Sequence, residues 1–204
     1  MANKTIIIPN ATLFFTKVEP NSPAKPFAGE GSPSWETQIR TTSKDVAKKW
    51  KEMDLNVRAL SRKAKDDDGN FMTDDLGEAL REPIADDNGN PYYGVTVRKK
   101  TLKRDGSKQN PVNVVGGDLS PVDPATIGNG SVGNLSVFQY PYEYKGKKGI
   151  SSMLMAIQVT ELNEYKPRPQ DGGFAPTEFK VNKVGDNQEV DADMVSNSDD
   201  NFDF

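Results

Sequence analysis

Apolar residues recur along the chain at two spacings, and each spacing predicts a different element. Residues 10–18 (NATLFFTKV) and 35–42 (WETQIRTT) are rich in β-branched and aromatic side chains and read as strands; a Pro/Gly-rich stretch, 19–34, separates them. Over residues 43–64 the period changes. Val46, Trp50, Met53, Val57, Leu60 and Ala64 follow one another at three or four positions, one stripe of an amphipathic helix. Ser43 suits its N-cap and Asp45 its first turn. Trp50 then belongs to the core, and Trp35, opening a strand beside Pro33, packs in the core or at its rim. Two acid-plus-glycine stretches, 66–70 and 86–90, have turn chemistry and flank a short helical segment expected over 74–81.

Strands resume at 92–103, 112–115, 131–144 and 150–162, where Met153, Met155, Ile157 and Val159 form one face of a core strand. Prolines 167, 169 and 176 mark the end of the packed body, with 179–184 still able to pair; no internal repeat stands out. Five or six strands and one helix give a mainly β fold, an OB-fold: a five-stranded Greek-key barrel with one capping amphipathic helix over residues 1–184. Residues 185–204 read as a separate, disordered acidic tail.

Charge changes the picture next. Seven of the 30 acids fall in residues 186–204, which hold no base; residues 1–185 keep 23 acids against 26 bases, a net of +3. The overall acidity therefore hides a mildly basic body. With no cysteine and no histidine, disulfides, thiolate nucleophiles, Cys-based metal sites and the commonest neutral-pH general base are all absent. No apolar run reaches the 18 residues of a membrane span, and Ile6-Ile7-Ile8 is too short for a signal peptide, so an intracellular protein is expected.

The most informative stretch is 138–144, FQYPYEY. Extended, it places Phe138, Tyr140, Tyr142 and Tyr144 on one side and leaves Leu135 and Val137 toward the other. Four rings are surplus to one small core, and Pro141 puts the end of the run at an edge or in a loop. Lys145, Lys147 and Lys148 follow directly. Rings beside ammonium groups suit a single strand of nucleic acid, whose bases stack while lysines neutralise its phosphates. The same rings also suit an aromatic cluster at a barrel end, or a dimer contact.

Residues 92–100 repeat the theme. Tyr93, Val95 and Val97 alternate with Tyr92, Thr96, Arg98 and Lys100, and Arg98, Lys99, Lys100, Lys103 and Arg104 make a basic run. Phosphate contacts explain that run; so does an edge strand protected by lysines. The helical lysines read more simply as a solvated face. Enzyme signatures fail. Gly128 to Gly133 has Walker-like spacing, but Asn134 stands where the lysine belongs. Ala64 and Ile84 occupy positions where an EF-hand needs acids. No catalytic residue, metal or cofactor is assigned, although the acid clusters leave a Mg²⁺-dependent nuclease as an alternative.

Taken together, residues 11–20 (ATLFFTKVEP), 35–42, 92–99 (YYGVTVRK), 133–151 and the closing DDNFDF resemble the phage single-stranded DNA-binding proteins of the coliphage T-seven type. That resemblance implies an OB-fold that coats and protects single strands in the cytoplasm of an infected bacterium during replication, recombination and repair. It implies, too, that Asp199, Asp200, Phe202, Asp203 and Phe204 dock the replicative polymerase and the helicase–primase, and that the protein is often a dimer. Two features depart from the pattern. The expected helix follows the second strand, not the third, and the acid-rich insertion 66–90 matches no family motif. A strand-annealing recombination mediator, and a virion or scaffolding protein without DNA affinity, are the alternative readings.

Overall fold

The computed structural model describes residues 3–26, 31–144 and 146–165. Among these residues nine strands, one α-helix and a single 3-10 turn (Pro124–Thr126, before β8) are formed, the strands and α-helix following in chain order: β1 (Lys4–Lys17), β2 (Ser34–Thr41), α1 (Lys44–Glu52), β3 (Arg58–Ala59), β4 (Ser61–Lys63), β5 (Arg81–Pro83), β6 (Tyr93–Lys100), β7 (Asn113–Gly116), β8 (Val132–Tyr144) and β9 (Lys147–Glu161). Five of them close a barrel in the order β1-β2-β6-β9-β8, with β8 returning to β1. All neighbours are antiparallel except β6 and β9, which run parallel and meet at Arg98 and Met153. This is the connectivity of an OB-type barrel. β3 and β7 extend its sheet, and β4 pairs with β5 in a separate two-stranded sheet.

The alternation read from the sequence fills the barrel. Ile8, Leu13, Ile39, Val97, Leu135, Val137, Leu154 and Ile157 all have 0% exposure and form one cluster with Trp35, Val95 and Trp50. Trp35 is buried and its indole N–H donates to the Glu19 carbonyl at 2.9 Å. One phase differs from expectation. Ser136 pairs with Ala156 but Val137 with Leu154, so Met155 is an extra residue in β9. A bulge of this kind shifts which residues face inward. Leu154 consequently points into the core while Met153 lines the outer surface.

The helix is shorter than its stripe. Ser43 caps it as expected, accepting from the Val46 N–H, and Ala47 and Trp50 bury its inner face. Met53 is the C-cap, Asp54 takes a left-handed φ of 61°, and Leu55 N–H turns back to the Trp50 carbonyl. Val57, Leu60 and Ala64 thus continue the spacing in extended backbone, not on a fourth and fifth turn. Gln139, the last inward residue of β8, donates to the Met53 carbonyl at 2.8 Å and ties the helix end to the barrel.

The helical segment expected over 74–81 is a hairpin loop, one of a repeated kind. Among the described residues five nine-residue loops, 64–72, 72–80, 84–92, 101–109 and 114–122, close with the last N–H donating to the first carbonyl. Each has a bridge one residue inside that bond and a left-handed sixth residue: Gly69, Gly77, Gly89, Gly106 and Leu119. Asp66, Asp74 and Asp86 accept from backbone N–H groups two and four residues on, and Asp105 and Asp118 from Ser107 and Ser120. Such side-chain-to-backbone bonds compete directly with helix. They also engage the carboxylates of Asp66 and Asp86, which belong to the acid clusters behind the nuclease alternative. The expected segment 179–184, the 184/185 boundary and the tail lie outside the described residues.

Leu119 stands alone with a side chain at the left-handed position (φ 67°), and that side chain is 70% exposed. A left-handed non-glycine residue costs about 1–2 kcal/mol, partly offset in glycine by its larger unfolded-state entropy. Leu119→Gly is therefore expected to raise the midpoint of thermal unfolding by about 2–4 °C. A lower midpoint in calorimetry would contradict this account of the loops.

Candidate nucleic-acid interface

Alternation along β6 decides which cations reach the surface. Val95, Val97 and Lys99 face inward and are buried; Thr96, Arg98 and Lys100 face outward. Beyond β6 the chain enters the loop 101–109, whose turn is locked by Lys103 N–H to the Ser107 carbonyl and Gly106 N–H to the Lys103 carbonyl. That loop presents Lys103 and Arg104 in the same direction as Arg98 and Lys100. All four line one cavity of 660 Å³, whose opposite wall is Tyr140, Ser151 and Met153. The two pieces singled out in the sequence, 98–104 and 138–144, meet here because β6 pairs with β9.

Asp105 interrupts the basic run and stays ionised, but among the described residues it forms no ion pair with its cations. Its carboxylate accepts from the Ser107 hydroxyl at 2.7 Å and the Ser107 N–H at 2.9 Å, and these bonds hold its pKa below the usual carboxylate value. Arg98 lies 4.0 Å from Glu36 across the strand pair. Among the described residues, no ion pair holds Lys100, Lys103 or Arg104. An exposed pair at the limit of contact distance contributes little, so the groove keeps a net positive field.

The rings follow the expected alternation. Phe138 is half-buried, while Tyr140 (37%), Tyr142 (47%) and Tyr144 (66%) are progressively exposed. The Phe138 and Tyr140 centroids lie 6.1 Å apart. β8 and β9 continue in regular register past the barrel to Tyr144 opposite Lys147, with Gly146 at φ 74° in the turn. Pro141 falls just beyond Gln139, where the pairing of β1 with β8 ends, so its missing N–H breaks no ladder. Gly149 has a specific task. A Cβ there would meet the Tyr142 ring at 2.8 Å, so the ring lies across the bare backbone.

Two expected site residues, Lys99 and Lys148, fall elsewhere. Lys99 is 5% exposed on the core side of β6, and burial pushes its pKa down. It presents no ammonium to the groove. Lys148 sits opposite Glu143, 3.7 Å from its carboxylate, on the hairpin face away from Tyr142 and Tyr144. Lys145 lies outside the described residues, as do Asp199, Asp200, Phe202, Asp203 and Phe204. Lys147, opposite Tyr144, shares the ring face.

A second cluster escaped the sequence reading. Arg40, on the outer face of β2, has its guanidinium carbon 4.4 Å from the Phe14 centroid, 4.9 Å from Phe15 and 5.9 Å from Tyr92. Tyr92 stands edge-on to Phe14 at 6.1 Å, so this predicted ring belongs to the Arg40 group and not to the 98–104 groove. Simple alternation forbids Phe14 and Phe15 from sharing a face. A bulge between Phe14 and Lys17 permits it. The legible signal was Arg40 alternating with Ile39.

No protein-family model matches the sequence, and no curated protein does. Solved structures do. The chain is similar to gp2.5, a single-stranded DNA-binding protein encoded by bacteriophage T7, with 10% identity over 86% of this chain and 100% of that one, at a TM-score of 0.49. It is also similar to the single-stranded DNA-binding protein of bacteriophage Enc34 in complex with ssDNA, with 11% identity over 78% and 88% of the two chains and a TM-score of 0.44. A C-terminal truncation of the Enc34 protein gives 15% identity, 78% and 87% coverage and 0.45. The structural neighbours belong to the group that the sequence resembles, and at these identities the likeness concerns the fold.

Lys99 gives a test with a definite sign. Its folded pKa lies below the unfolded value of about 10.4, so between the two the unfolded chain holds more protons and stability rises with pH. Lys99→Met removes the charging penalty. It is expected to be more stable than wild type at pH 7, with the advantage shrinking as pH climbs toward 10.4. Oligonucleotide binding should be unchanged. Lower stability of the variant at pH 7 would place an unseen stabilising partner on that ammonium.

Proposed function

We propose that this chain is a sequence-independent single-stranded DNA-binding protein that acts by binding, without catalysis. One observation carries the reading: Arg98, Lys100, Lys103 and Arg104 face Tyr140 across a single groove, and the ring row continues outward along the hairpin. Cations hold the sugar–phosphate chain, and exposed rings offer faces that any base can stack on. No array of directional donors and acceptors, as needed to read base edges, is required. An unpaired strand suits the geometry because a duplex keeps its base faces covered.

The role in coating strands during phage replication, recombination and repair, inside an infected bacterial cell, rests on this activity together with the resemblance of the sequence. The same holds for the tail. Its seven acids are attracted to a basic groove on the same molecule, and tethering raises their effective concentration. Phe202 and Phe204 then serve as anchors for a replicative polymerase and a helicase–primase once DNA displaces the tail. A homodimer rests on the resemblance of the sequence alone. Deleting residues 199–204 is expected to tighten single-strand binding in low salt and to abolish recruitment.

Binding should weaken with salt at a log–log slope of about −0.7 per phosphate neutralised. Lys103→Ala and Arg104→Ala should each reduce that slope by about 0.7. Tyr142→Ala should cost about 1–3 kcal/mol at every salt concentration, since a stacked base is lost and no charge is. Fluorescence titrations of a homothymidine oligonucleotide read both quantities. Wild-type affinity and slope in all three variants would overturn the groove as the binding site.

A further inference from the structure

The groove does not end at Arg98. Glu36, its contact at 4.0 Å, lines a neighbouring cavity of 550 Å³ together with Phe15 and Lys17. Phe15, Lys17 and Glu19 also line a second cavity, of 430 Å³. A row therefore runs across the barrel surface from Tyr140 through Arg98 and Glu36 to Phe15, and the Arg40 cluster stands beside its far end. Arg40 is four residues along β2 from Glu36, about 13 Å.

From this geometry we infer that the Phe14–Arg40–Phe15 stack, with Tyr92 at its edge, is a second platform for an unpaired nucleobase, with Lys17 placed for its phosphate. The inference rests on the single-strand reading above and extends the strand's path from the hairpin to β1. Three features argue for it. The barrel interior beneath is already filled by Leu13 and Ile39, both at 0% exposure, so the outer rings add nothing to the core. Arg40 lies against three rings and donates to Gln38 at 2.6 Å; among the described residues no carboxylate pairs with it. A flat cation on rings is a surface that a base can continue.

The third feature is strain. Phe15 has a left-handed φ of 51° and yet leaves its ring 58% exposed. The conformation is imposed from outside: the Phe15 N–H donates to the Asn129 side-chain oxygen at 2.7 Å, and the next turn is fixed by Gly130 N–H to the Leu13 carbonyl and Leu13 N–H to the Ser131 carbonyl. A bulky residue held in an unfavourable backbone region, with little burial to compensate it, is the pattern of a site retained for contact. The ring is turned outward by the bulge that the strain maintains.

Phe15→Ala tests this without disturbing the groove. Binding of a homothymidine oligonucleotide is expected to weaken about 5- to 150-fold, the loss of one stacked base. The salt slope should stay unchanged, and the melting temperature should change little because the ring is mostly exposed. Phe15→Tyr should bind as wild type, whereas Phe15→Leu, which keeps an apolar side chain but has no ring, should not. Irradiating an oligonucleotide that carries 5-iodouracil should give adducts at Phe14, Phe15 or Tyr92. Wild-type affinity in Phe15→Ala alongside weakened Tyr142→Ala would overturn the platform while leaving the groove standing, as would adducts confined to residues 138–149. A wild-type protein that binds no oligonucleotide would overturn both. Should Phe15→Ala fail to fold, Phe15→Leu and the adduct positions decide.

Discussion

A five-stranded barrel closes only if its first and last edges meet, and here they meet where Arg98 of β6 lies beside Met153 of β9. The sequence separation is large and the pairing parallel, so no local turn can impose it. It forms because β1, β2 and β8 carry inward residues that must share one interior. What the closure brings together is the functional surface. β6 delivers its outward cations, β9 and β8 deliver Met153 and Tyr140, and a single groove results. Were β6 and β9 splayed, the same side chains would belong to two unrelated edges.

The division of labour between barrel faces follows from the pleat. The inward face is filled by Leu, Ile, Val and Trp35 at almost no exposure, leaving the outward rings without a core to enter. Exposed rings then persist only where something else covers them. Their neighbours in the groove are cations, and the acid beside Arg104, Asp105, is bound into its own turn by Ser107. Asp86 and Asp118 are engaged likewise, with pKa values pushed down by hydrogen bonds from Asn90 and Ser120. These carboxylates stay ionised, but among the described residues none of them pairs with a groove cation, and Arg98, Lys100, Lys103 and Arg104 keep the groove basic.

Much of this was legible because strand alternation is a local property. The opposition of Leu135 and Val137 to Phe138, Tyr140, Tyr142 and Tyr144 survives intact, as does the outward placement of Arg98 and Lys100. The same rule placed Lys99 inward beside Val97, but counting charges along 98–104 obscured it. Failures came where local rules are broken. Bulges at Met155 and at Phe15 reset the phase, turning Met153 outward and exposing two adjacent rings. The helical stripe ran on through Val57 and Leu60 although Asp54 had already ended the helix. The repeated loops went unseen although three of them share Asp-Asp-x-Gly, at 66–69, 74–77 and 86–89, because the outer two read as isolated turns and the middle one as helix. In the other two, Asp105-Gly106-Ser107 and Asp118-Leu119-Ser120, the carboxylate that caps the turn stands two positions later, and in the second Leu119 replaces the glycine.

The central claim is that exposed rings take unpaired bases while adjacent cations hold the backbone. It is tested most directly by titrating the full chain with one sequence presented as a single strand and as its duplex, across a salt series. Electrostatics alone would favour the duplex, whose charge density is higher. The account predicts tighter binding of the single strand at every salt concentration, with the preference growing as salt screens the phosphates and stacking is left to discriminate. Equal affinity, or a preference for duplex, would contradict it.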